Sequence, residues 1–464
     1  MDPDEPAACC CIIPNMTQSA ILVHRAGGGY KFPSVRLPPL RLPFFPDYVP
    51  HIRQELRRAT GQEMTVLRHL QDLGDVQICV MEVQAAPGSL PDDYVWLECG
   101  EEATWADELS ALAWQAWSVA RTDEASLLVA PWERNGWFAD AALWMQTRLH
   151  EAGYLLTGPI EQLKGAWGWS SLLTVETDRG MVYFKADYDR PPKEVAVVRK
   201  LAQRWPRNVP HLIAADAERN WMLMSGFAGV SLEPLDTNQY LSAVSLFAKI
   251  QRSSAPDINE WRQLGCPDMT PGNLLRLTKQ LLANTAVLTG GESGLRPEEL
   301  TELAQKLPQI EQMLTRLAAS TLPNVISNED FKAGNVVLSG GEFLFYDWSS
   351  TVITHLLFGI NYFLNRMVRS SGEDRFRWRN DLEDARRQAL LPAFLSEWTE
   401  YAPWDQLAAE FWLCRRLSPL YEAVRCYGDL PFIDTASPWG AGTLSNIPQA
   451  LRNLLAALDY SPNF

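Results

Sequence analysis

The apolar residues of this chain follow two different periods. Up to about residue 235, short apolar runs are separated by polar and proline- or glycine-rich turns, a pattern typical of strands. Farther along, apolar residues recur at helical spacing, as at Leu303, Leu307, Ile310, Leu314 and Leu317. The sequence therefore predicts an α+β protein with a strand-rich first half and a mostly helical second half.

These patterns divide the chain into four regions. We expect a flexible tail at 1–15, a strand-rich module at 16–130, a mixed lobe at 131–235 and a mostly helical lobe at 236–464. In the module, one helix is predicted at 51–60, and strands at 20–24, 65–70, 76–84 and 94–97. A helix over 137–152 opens the mixed lobe. Strands near 322–338 and 343–345 are embedded in the helical lobe.

Length and charge narrow the class of protein. A chain of 464 residues, 47% hydrophobic and 21% charged, is long enough for two to three globular domains. The formal net charge of −15 argues against a nucleic-acid partner, which would require a basic face. It is compatible with a cationic small molecule, although acidity is also a common solubility feature. No apolar span is long enough to predict a membrane partner.

The cysteines and histidines show no metal-site spacing. Eight cysteines and six histidines are scattered without paired C-x-x-C motifs, which argues against a structural zinc site. Reduced thiols and a cytoplasmic location are the expectation. The Cys9–Cys11 triplet could bind a metal or carry a lipid, but we interpret it as part of the tail.

Two short stretches near residue 330 carry candidate chemistry. Each follows an apolar run and is predicted to be a loop leaving a strand. Asp330 and Asn335 lie in the first, 328–335, and Asp347 lies in the second, 345–348. In kinases, D-x-x-x-x-N supplies a base and a metal ligand, and a later Asp holds Mg²⁺. The alternative is two surface turns, which favour Asp and Asn for other reasons.

Further kinase-like elements precede these loops in the expected order. Lys185 lies in an apolar strand predicted at 180–186, where a lysine must reach solvent, pair or serve a site. A helix predicted at 191–205 carries Glu194 in its first turn. An apolar strand at 221–224 and a glycine-containing hinge at 225–229 follow. A strand lysine with a glutamate on the next helix is the ion pair that orients lysine on nucleotide phosphates.

With these motifs, residues 135–464 resemble the aminoglycoside phosphotransferase group of small-molecule kinases, relatives of choline kinase and of protein kinases. The resemblance rests on 182–186, Glu194, 205–224, the Asp330–Asn335 pair and Asp347-Trp348. It implies a two-lobed protein-kinase-like fold, with a mixed β-sheet small lobe and a mostly helical large lobe. It further implies ATP and Mg²⁺ as cofactors and a small-molecule acceptor, with the oligomeric state left open.

The resemblance also implies a role for each matching residue. Lys185 would contact the α- and β-phosphates, Glu194 would hold Lys185, and the backbone around Met224, Gly226 and Phe227 would bind adenine. In the helical lobe, Asp330 would be the base toward the acceptor's hydroxyl or amine. Lys332 would stabilise the transferring phosphoryl group, and Asn335 and Asp347 would ligate Mg²⁺.

The chain departs from the family pattern, which usually is His-Gly-Asp-x-His-x-Gly-Asn. Asn328 and Glu329 precede Asp330, and Lys332 stands where the second His is common. Glu329 would add negative charge beside a phosphate site. The segment 165–171, expected to cover the phosphates, is a poor glycine-rich loop. A nucleotide-binding pseudokinase or regulatory protein without turnover is therefore the alternative function.

The module at 16–130 resembles a Nudix hydrolase domain, an α/β fold. The resemblance rests on 21–25, 31–33 and the helix segment 54–61, which keeps Glu55 and Gly61. The other metal-binding glutamates are replaced by Arg58, Ala59 and Pro46, and one carboxylate does not make an Mg²⁺ site for pyrophosphate hydrolysis. We interpret the module as non-catalytic and Nudix-like; the alternative is an unrelated α/β module.

Overall fold

The computed structural model describes residues 7–15, 18–38, 45–84, 90–99, 101–120, 128–165, 168–188, 191, 193–232, 236–291, 293–366 and 385–459. The chain divides into two compact units. The first comprises Met1–Tyr188, Leu212–Gly226 and Phe432–Ala441, and the second comprises Asp189–His211, Phe227–Pro431 and Gly442–Phe464.

The first unit contains most of the strands. These are β1 (Ala8–Ile12), β2 (Ala20–Ala26), β3 (Gly29–Lys31), β4 (Ser34–Arg36), β5 (Met64–Leu73), β6 (Val76–Val83), β7 (Tyr94–Glu98), β8 (Glu161–Lys164), β9 (Ser170–Thr177), β10 (Gly180–Asp187), β11 (Leu212–Asp216) and β12 (Trp221–Ser225). Its helices are α1 (Phe45–Thr60), α2 (Glu108–Ala120) and α3 (Trp137–Glu151). The strands predicted between residues 20 and 97 and the helix predicted at 137–152 are confirmed to within a few residues.

The N-terminal residues correct one expectation. Ala8–Ile12 form strand β1, in which Cys9 to Ile12 are buried, so the prediction of a flexible tail is wrong there. β1 lies inside a four-stranded sheet of order β4-β1-β6-β5, parallel to β6 and antiparallel to β4. A strand between two partners satisfies its backbone groups on both edges and fixes the segment in place.

Strands β2, β3 and β7 form a second, three-stranded sheet. Apolar side chains fill two cores within this part of the chain. One includes Tyr48 and Ile52 of α1, and the other includes Ala113 and Trp117 of α2. Helix α2 was not predicted, and α1 begins six residues earlier than the predicted position 51. Pro46 lies in the first turn, where its missing N–H would be unpaired anyway, whereas Pro50 lies inside the helix.

The five-stranded sheet of the first unit has the order β11-β12-β10-β9-β8, all antiparallel. Helix α3 packs against it through an aromatic core. Trp144 and Trp221 contact Phe184 edge-to-face, with ring centroids 5.8 and 5.4 Å from it. These contacts make β10, the strand that carries Lys185, the rigid centre of the sheet.

The Gln162 side chain links the predicted module to this sheet. The Gln162 side chain on β8 accepts from the Val66 N–H and donates to the Val66 carbonyl, both at 2.8 Å. Arg53 of α1 donates to the Gln162 carbonyl at 3.0 Å. Both segments thus belong to one compact unit. The boundary at residue 130 and the Nudix-like character of the module stay predictions.

The second unit is mostly helical, as predicted. Its helices are α4 (Glu194–Arg204), α5 (Thr237–Ser254), α6 (Ile258–Gln263), α7 (Pro271–Ala283), α8 (Thr285–Thr289), α9 (Pro297–Ala318), α10 (Leu356–Arg366), α11 (Ala385–Ser396), α12 (Trp404–Asp429) and most of α13 (Pro438–Asp459). Its strands are β13 (Val230–Ser231), β14 (Asp268–Met269), β15 (Asn324–Asn328), β16 (Val336–Ser339), β17 (Glu342–Phe345) and β18 (Thr351–His355).

Two small sheets position the predicted loops of the second unit. They have the orders β13-β16-β17 and β14-β18-β15. Residues 329–335 follow β15, and residues 346–350 connect β17 to β18, so both candidate stretches leave the ends of strands as predicted. The coarse fold class, α+β with a strand-rich and a helical part, is confirmed. Across the described residues, no helix combines the length and apolar character that crossing a bilayer requires.

Candidate active site

The loop after β15 holds the Asp330 carboxylate with three side chains. The Tyr362 hydroxyl on α10 donates to Oδ1 at 2.9 Å. Lys332 Nζ and Asn335 Nδ2 donate to Oδ2 at 2.6 and 2.8 Å. Hydrogen bonds from a cation and two neutral donors fix the carboxylate in one orientation. Asp330, Lys332 and Asn335, predicted from the sequence as one set, are therefore brought together.

Asn335 is oriented by bonds on its amide nitrogen. Nδ2 also donates to the Asp330 carbonyl at 2.9 Å, and the Asn335 N–H donates to the Lys332 carbonyl at the same distance. The residue closes a one-turn 3₁₀ helix, Ala333–Asn335. Because Nδ2 is used as a donor, the oxygen Oδ1 is the atom of this amide that can ligate a cation.

Asn328 connects this loop to the loop that carries Asp347. Its Oδ1 accepts the Asp330 N–H at 3.0 Å, and its Nδ2 donates to the Asp347 carbonyl at 2.8 Å. Asn328 is only 3% exposed, so its amide group is buried in the protein. The family pattern has a histidine at this position; in this chain the Asn328 amide makes both bonds.

Asp347 has an unusual backbone conformation. Its φ is +62°, in the left-handed region that non-glycine residues rarely adopt. Such a conformation costs of order 1–3 kcal/mol and persists only where the surroundings enforce it. Here the Asn328 bond fixes the carbonyl, the Ser349 hydroxyl donates to Oδ1 at 3.0 Å, and the Trp348 N–H donates to Glu194 Oε1 at 2.9 Å. The loop thus positions one carboxylate at the cost of backbone strain.

A stack of three phenylalanine rings holds the loop after β15 in place. The Phe331 ring is buried between Phe247 of α5 and Phe363 of α10, with centroid distances of 3.9 and 4.3 Å. Both pairs are stacked, with interplanar angles of 18° and 17°. Because Phe331 follows Asp330 directly, this packing holds the backbone of the carboxylate residue rigid.

Glu329 adds little negative charge at neutral pH, less than the sequence-based expectation. Its side chain is 5% exposed and lies beside Ser327 and Tyr421. Burial raises the pKa of this carboxyl to about 8, although the charge of Arg425 opposes the shift. The group is therefore mostly protonated at pH 7, and its side chain is buried in the helical core.

Lys185 lies in the first unit, and its Nζ contacts a carboxylate on the same strand. The distance from Nζ to Asp187 Oδ2 is 3.3 Å, and both side chains are under 10% exposed. Residues two apart on a strand point to the same face, so the pair is built into β10. The predicted pairing of Lys185 with Glu194 stays a prediction.

The predicted adenine-binding segment begins at the end of β12. The Gly226 N–H donates to the Met181 carbonyl at 2.8 Å, and a Cβ at Gly226 would lie 2.5 Å from that oxygen. Only glycine allows this approach. Met224 is buried on β12, and in the second unit the Phe227 ring lies 5.3 Å from that of Tyr346. Within the predicted phosphate-covering segment 165–171, residues 166 and 167 lie outside the described residues.

Three site residues were not predicted. Asp187 directly follows the predicted strand 180–186, and its position two residues after Lys185 was an available signal. Tyr362 lies on a helix whose apolar pattern indicated only core packing, so nothing in the sequence pointed to its contact with Asp330. Ser349 lies two residues after Asp347, a spacing at which hydroxyls often bond to an Asp side chain.

A match to a protein family identifies the class of protein to which this chain belongs. The description "Phosphotransferase enzyme family" matches residues 166–429, more than half of the chain. The chain therefore belongs to this family, and it is a small-molecule phosphotransferase. Among curated protein sequences, no significant match to the chain is found.

Several solved structures are similar to the chain. A macrolide 2′-phosphotransferase from Brachybacterium faecium is 13% identical, with a TM-score of 0.44 over 69% of this chain and 99% of that one. A choline kinase from Streptococcus pneumoniae is 13% identical, with a TM-score of 0.44 over 68% and 99%. A choline kinase from Cryptosporidium parvum is 14% identical, with a TM-score of 0.43 over 64% and 90%. These values are too low to transfer any property of those proteins to this chain.

Proposed function

We propose that this protein transfers the γ-phosphate of ATP, as its Mg²⁺ complex, to a hydroxyl or amine of a small molecule. The observation that carries the proposal is the Asp330 carboxylate, held by Tyr362, Lys332 and Asn335 in a loop that Asn328 ties to Asp347. Phosphoryl transfer depends on positioning and charge neutralisation, and these contacts provide both.

Asp330 is the proposed base. A carboxylate oxygen of Asp330 would accept the proton of the acceptor's hydroxyl or amine as that group attacks phosphorus. Tyr362 and Asn335 orient the carboxylate for this step. Lys332 Nζ, 2.6 Å from Oδ2, places a positive charge where negative charge on the transferring phosphoryl group would be stabilised.

Asn335 and Asp347 are the proposed Mg²⁺ ligands. The donors fit this ion, because Asp347 offers a carboxylate and the Asn335 amide is oriented to offer Oδ1. Mg²⁺ bound there would neutralise phosphate charge. The left-handed backbone of Asp347 supports the assignment, since strain of this kind clusters at functional sites.

A different set of residues is assigned to binding ATP. We assign Lys185 to the α- and β-phosphates, Glu194 to holding Lys185, and Met224, Gly226 and Phe227 to adenine. The burial of Lys185 beside Asp187 supports the assignment, because a lysine so enclosed must serve a partner. The close approach of Gly226 to Met181 supports a fixed hinge after β12.

The N-terminal module is proposed to be non-catalytic. Glu55, the carboxylate that remains of the Nudix-like motif, forms an ion pair with Arg58 at 2.5 Å. A single paired carboxylate does not assemble the clustered ligands that metal-dependent pyrophosphate hydrolysis requires. The module therefore has a scaffolding or effector-binding role in this proposal.

An ATP-consumption screen of the purified chain tests the proposal. Aminoglycosides, macrolides, choline-like amines, sugars and amino alcohols are offered as acceptors, with Asp330→Asn as the inactive control and Asp216→Asn on β11 as the matched control. Acceptor-dependent turnover that disappears only in Asp330→Asn supports the function. ATP binding without turnover on any acceptor supports the pseudokinase, and full turnover by Asp330→Asn excludes the assigned base.

A further inference from the structure

Three cysteine side chains converge in the core of the first unit, on one face of the four-stranded sheet. Cys9 and Cys11 lie two residues apart on β1 and therefore point to the same face, and Cys79 lies opposite Cys11 on β6. The Sγ–Sγ distances are 3.4 Å for Cys9–Cys79, 3.8 Å for Cys11–Cys79 and 3.9 Å for Cys9–Cys11. The three sulfur atoms thus form a nearly equilateral triangle.

The triangle has the size that a bound metal ion requires. Thiolates bind zinc at about 2.3 Å in tetrahedral geometry, so two sulfur atoms on one ion lie about 3.8 Å apart. The three observed edges are close to this value, and an ion would need little movement of β1 or β6. Within the described part of the chain, these residues form a cluster in which all ligand atoms lie within 4.8 Å of one another.

The environment favours a soft cation. All three side chains are completely buried among apolar residues, including Met64 and Met81. A bound cation offsets part of the negative charge that thiolates bring into an apolar core, and sulfur ligands select soft ions such as Zn²⁺ and Cu⁺.

Cys10 provides the contrast. It lies on the same strand but points to the opposite face of the sheet, where it packs with Ile12 and Ile78. There it behaves as a small apolar residue, which is the usual role of a buried cysteine. Burial in β1 alone therefore does not define the site; the convergence of three sulfur atoms does.

We propose that Cys9, Cys11 and Cys79 bind one thiophilic d¹⁰ cation that links the N-terminal strand β1 to β6. The three thiols lose their protons to solvent as the three metal–sulfur bonds form, and no oxidant or reductant is needed. The site includes no residue assigned to phosphoryl transfer, so this proposal and the proposed function are independent.

Titration of the reduced, chelator-treated full chain with Cd²⁺ tests the site. The thiolate-to-metal charge-transfer absorption in the ultraviolet is expected to rise to an end point at one Cd²⁺ per chain. Cys11→Ala and Cys79→Ala are expected to weaken binding by more than about tenfold, whereas Cys10→Ala binds as the wild type does. Competition with Zn²⁺ and with Cu⁺ then shows which ion displaces Cd²⁺ at the lower concentration. No absorption in the wild type, or an unchanged one in both variants, overturns the proposal.

A second measurement on the wild type removes any dependence on variants that fail to fold. Thiols are alkylated in mild urea with and without Cd²⁺, and the modified positions are identified by mass spectrometry. The proposal expects Cd²⁺ to slow labelling of Cys9, Cys11 and Cys79 together by about tenfold or more, while partly exposed Cys99 reacts equally in both samples. Equal labelling of the three cysteines with and without Cd²⁺ contradicts the site. A disulfide between two of them that persists after treatment with a reductant also contradicts it.

Discussion

The Asn328 side chain donates a hydrogen bond of 2.8 Å from Nδ2 to the main-chain carbonyl of Asp347, nineteen residues away. Through its Oδ1 the same amide accepts the Asp330 N–H. One buried side chain thus fixes the relative position of the proposed base and of a proposed metal ligand. The residue that weakened the sequence match is therefore central to the organisation of the site.

Replacing Asn328 tests this link. Asn328→Ala removes both part-buried bonds and leaves the Asp330 N–H and the Asp347 carbonyl without these partners, so we expect a loss of about 1–3 kcal/mol in the free energy of unfolding. We also expect a lower kcat. Denaturant unfolding and steady-state kinetics measure the two effects, with Asn324→Ala on the same strand as the matched control. An Asn328→Ala enzyme that matches Asn324→Ala in both measurements would contradict the role.

Substitution of Asp330 should lower kcat more than substitution of its hydrogen-bond partner Tyr362. Asp330→Asn removes the base and should lower kcat by about 10²–10⁴-fold, with Mg-ATP affinity largely intact. Tyr362→Phe removes one hydrogen bond to Oδ1 and should lower kcat by roughly tenfold. Initial rates over a range of ATP concentrations separate kcat from KM. A Tyr362→Phe variant that loses only ATP affinity would place Tyr362 in nucleotide binding instead.

Substitution of Asp347 separates its strained backbone from its carboxylate. Asp347→Gly and Asp347→Ala both remove the proposed ligand, and both should weaken ATP binding in the presence of Mg²⁺. Glycine accepts the positive φ without strain, so Asp347→Gly should melt at a higher temperature than Asp347→Ala, by an amount that corresponds to about 1 kcal/mol. Calorimetric ATP titrations with and without Mg²⁺ and thermal melts provide the data. A wild type that binds ATP equally with and without Mg²⁺ would favour the pseudokinase.

Glu329 should make stability depend on pH. Its pKa rises from 4.5 in the unfolded chain to about 8 in the folded one. Between these values the unfolded state releases a proton that the folded state keeps. Stability is therefore full below pH 4.5 and falls as pH rises toward 8, by at most about 1.4 kcal/mol per pH unit.

Glu329→Gln is neutral at every pH and should remove this contribution. The measurement is the difference in unfolding free energy between wild type and variant from pH 4 to 9, expected to shrink or reverse as pH rises. Glu342→Gln on the exposed edge of β17 serves as the control. A constant difference across the range would show that Glu329 ionises normally in the folded protein.

The Gly226 position tests the hinge after β12. A Cβ there would lie 2.5 Å from the Met181 carbonyl, so Gly226→Ala must displace the backbone. We expect a cost of about 1–3 kcal/mol in stability and a raised Kd for ATP. Gly272→Ala is the matched control, because no atom lies within 4 Å of its added Cβ and the position is in a helix. Unchanged ATP affinity in Gly226→Ala would separate this glycine from the nucleotide site.

The position of the loop that carries Asp330 could be predicted well from the sequence, because the information that defines it is local. Asp330, Lys332 and Asn335 are close in the chain, and the apolar runs on either side predicted the strands that carry the loops. Tyr362 was missed because its contact with Asp330 arises from the packing of α10. The neutral state of Glu329 likewise depends on burial, which spacing alone does not show.

The tail prediction was wrong for residues 8–12 for a related reason. Acidic residues and prolines flank this short apolar run, and a strand five residues long carries little periodic signal. Its partners, β4 and β6, come from farther along the chain, so its place in the sheet depends on pairing that the local pattern does not encode.

The amide of Gln162 has a consequence for how this chain can be divided. Because both ends of that side chain are used by the backbone of Val66, the five-stranded sheet is completed by residues more than ninety positions earlier. Cutting the chain near residue 130 would separate Gln162 from Val66 and from Arg53, which donates to its carbonyl. Recombination that moved the five-stranded sheet into another protein would therefore have to move residues 1–130 together with it.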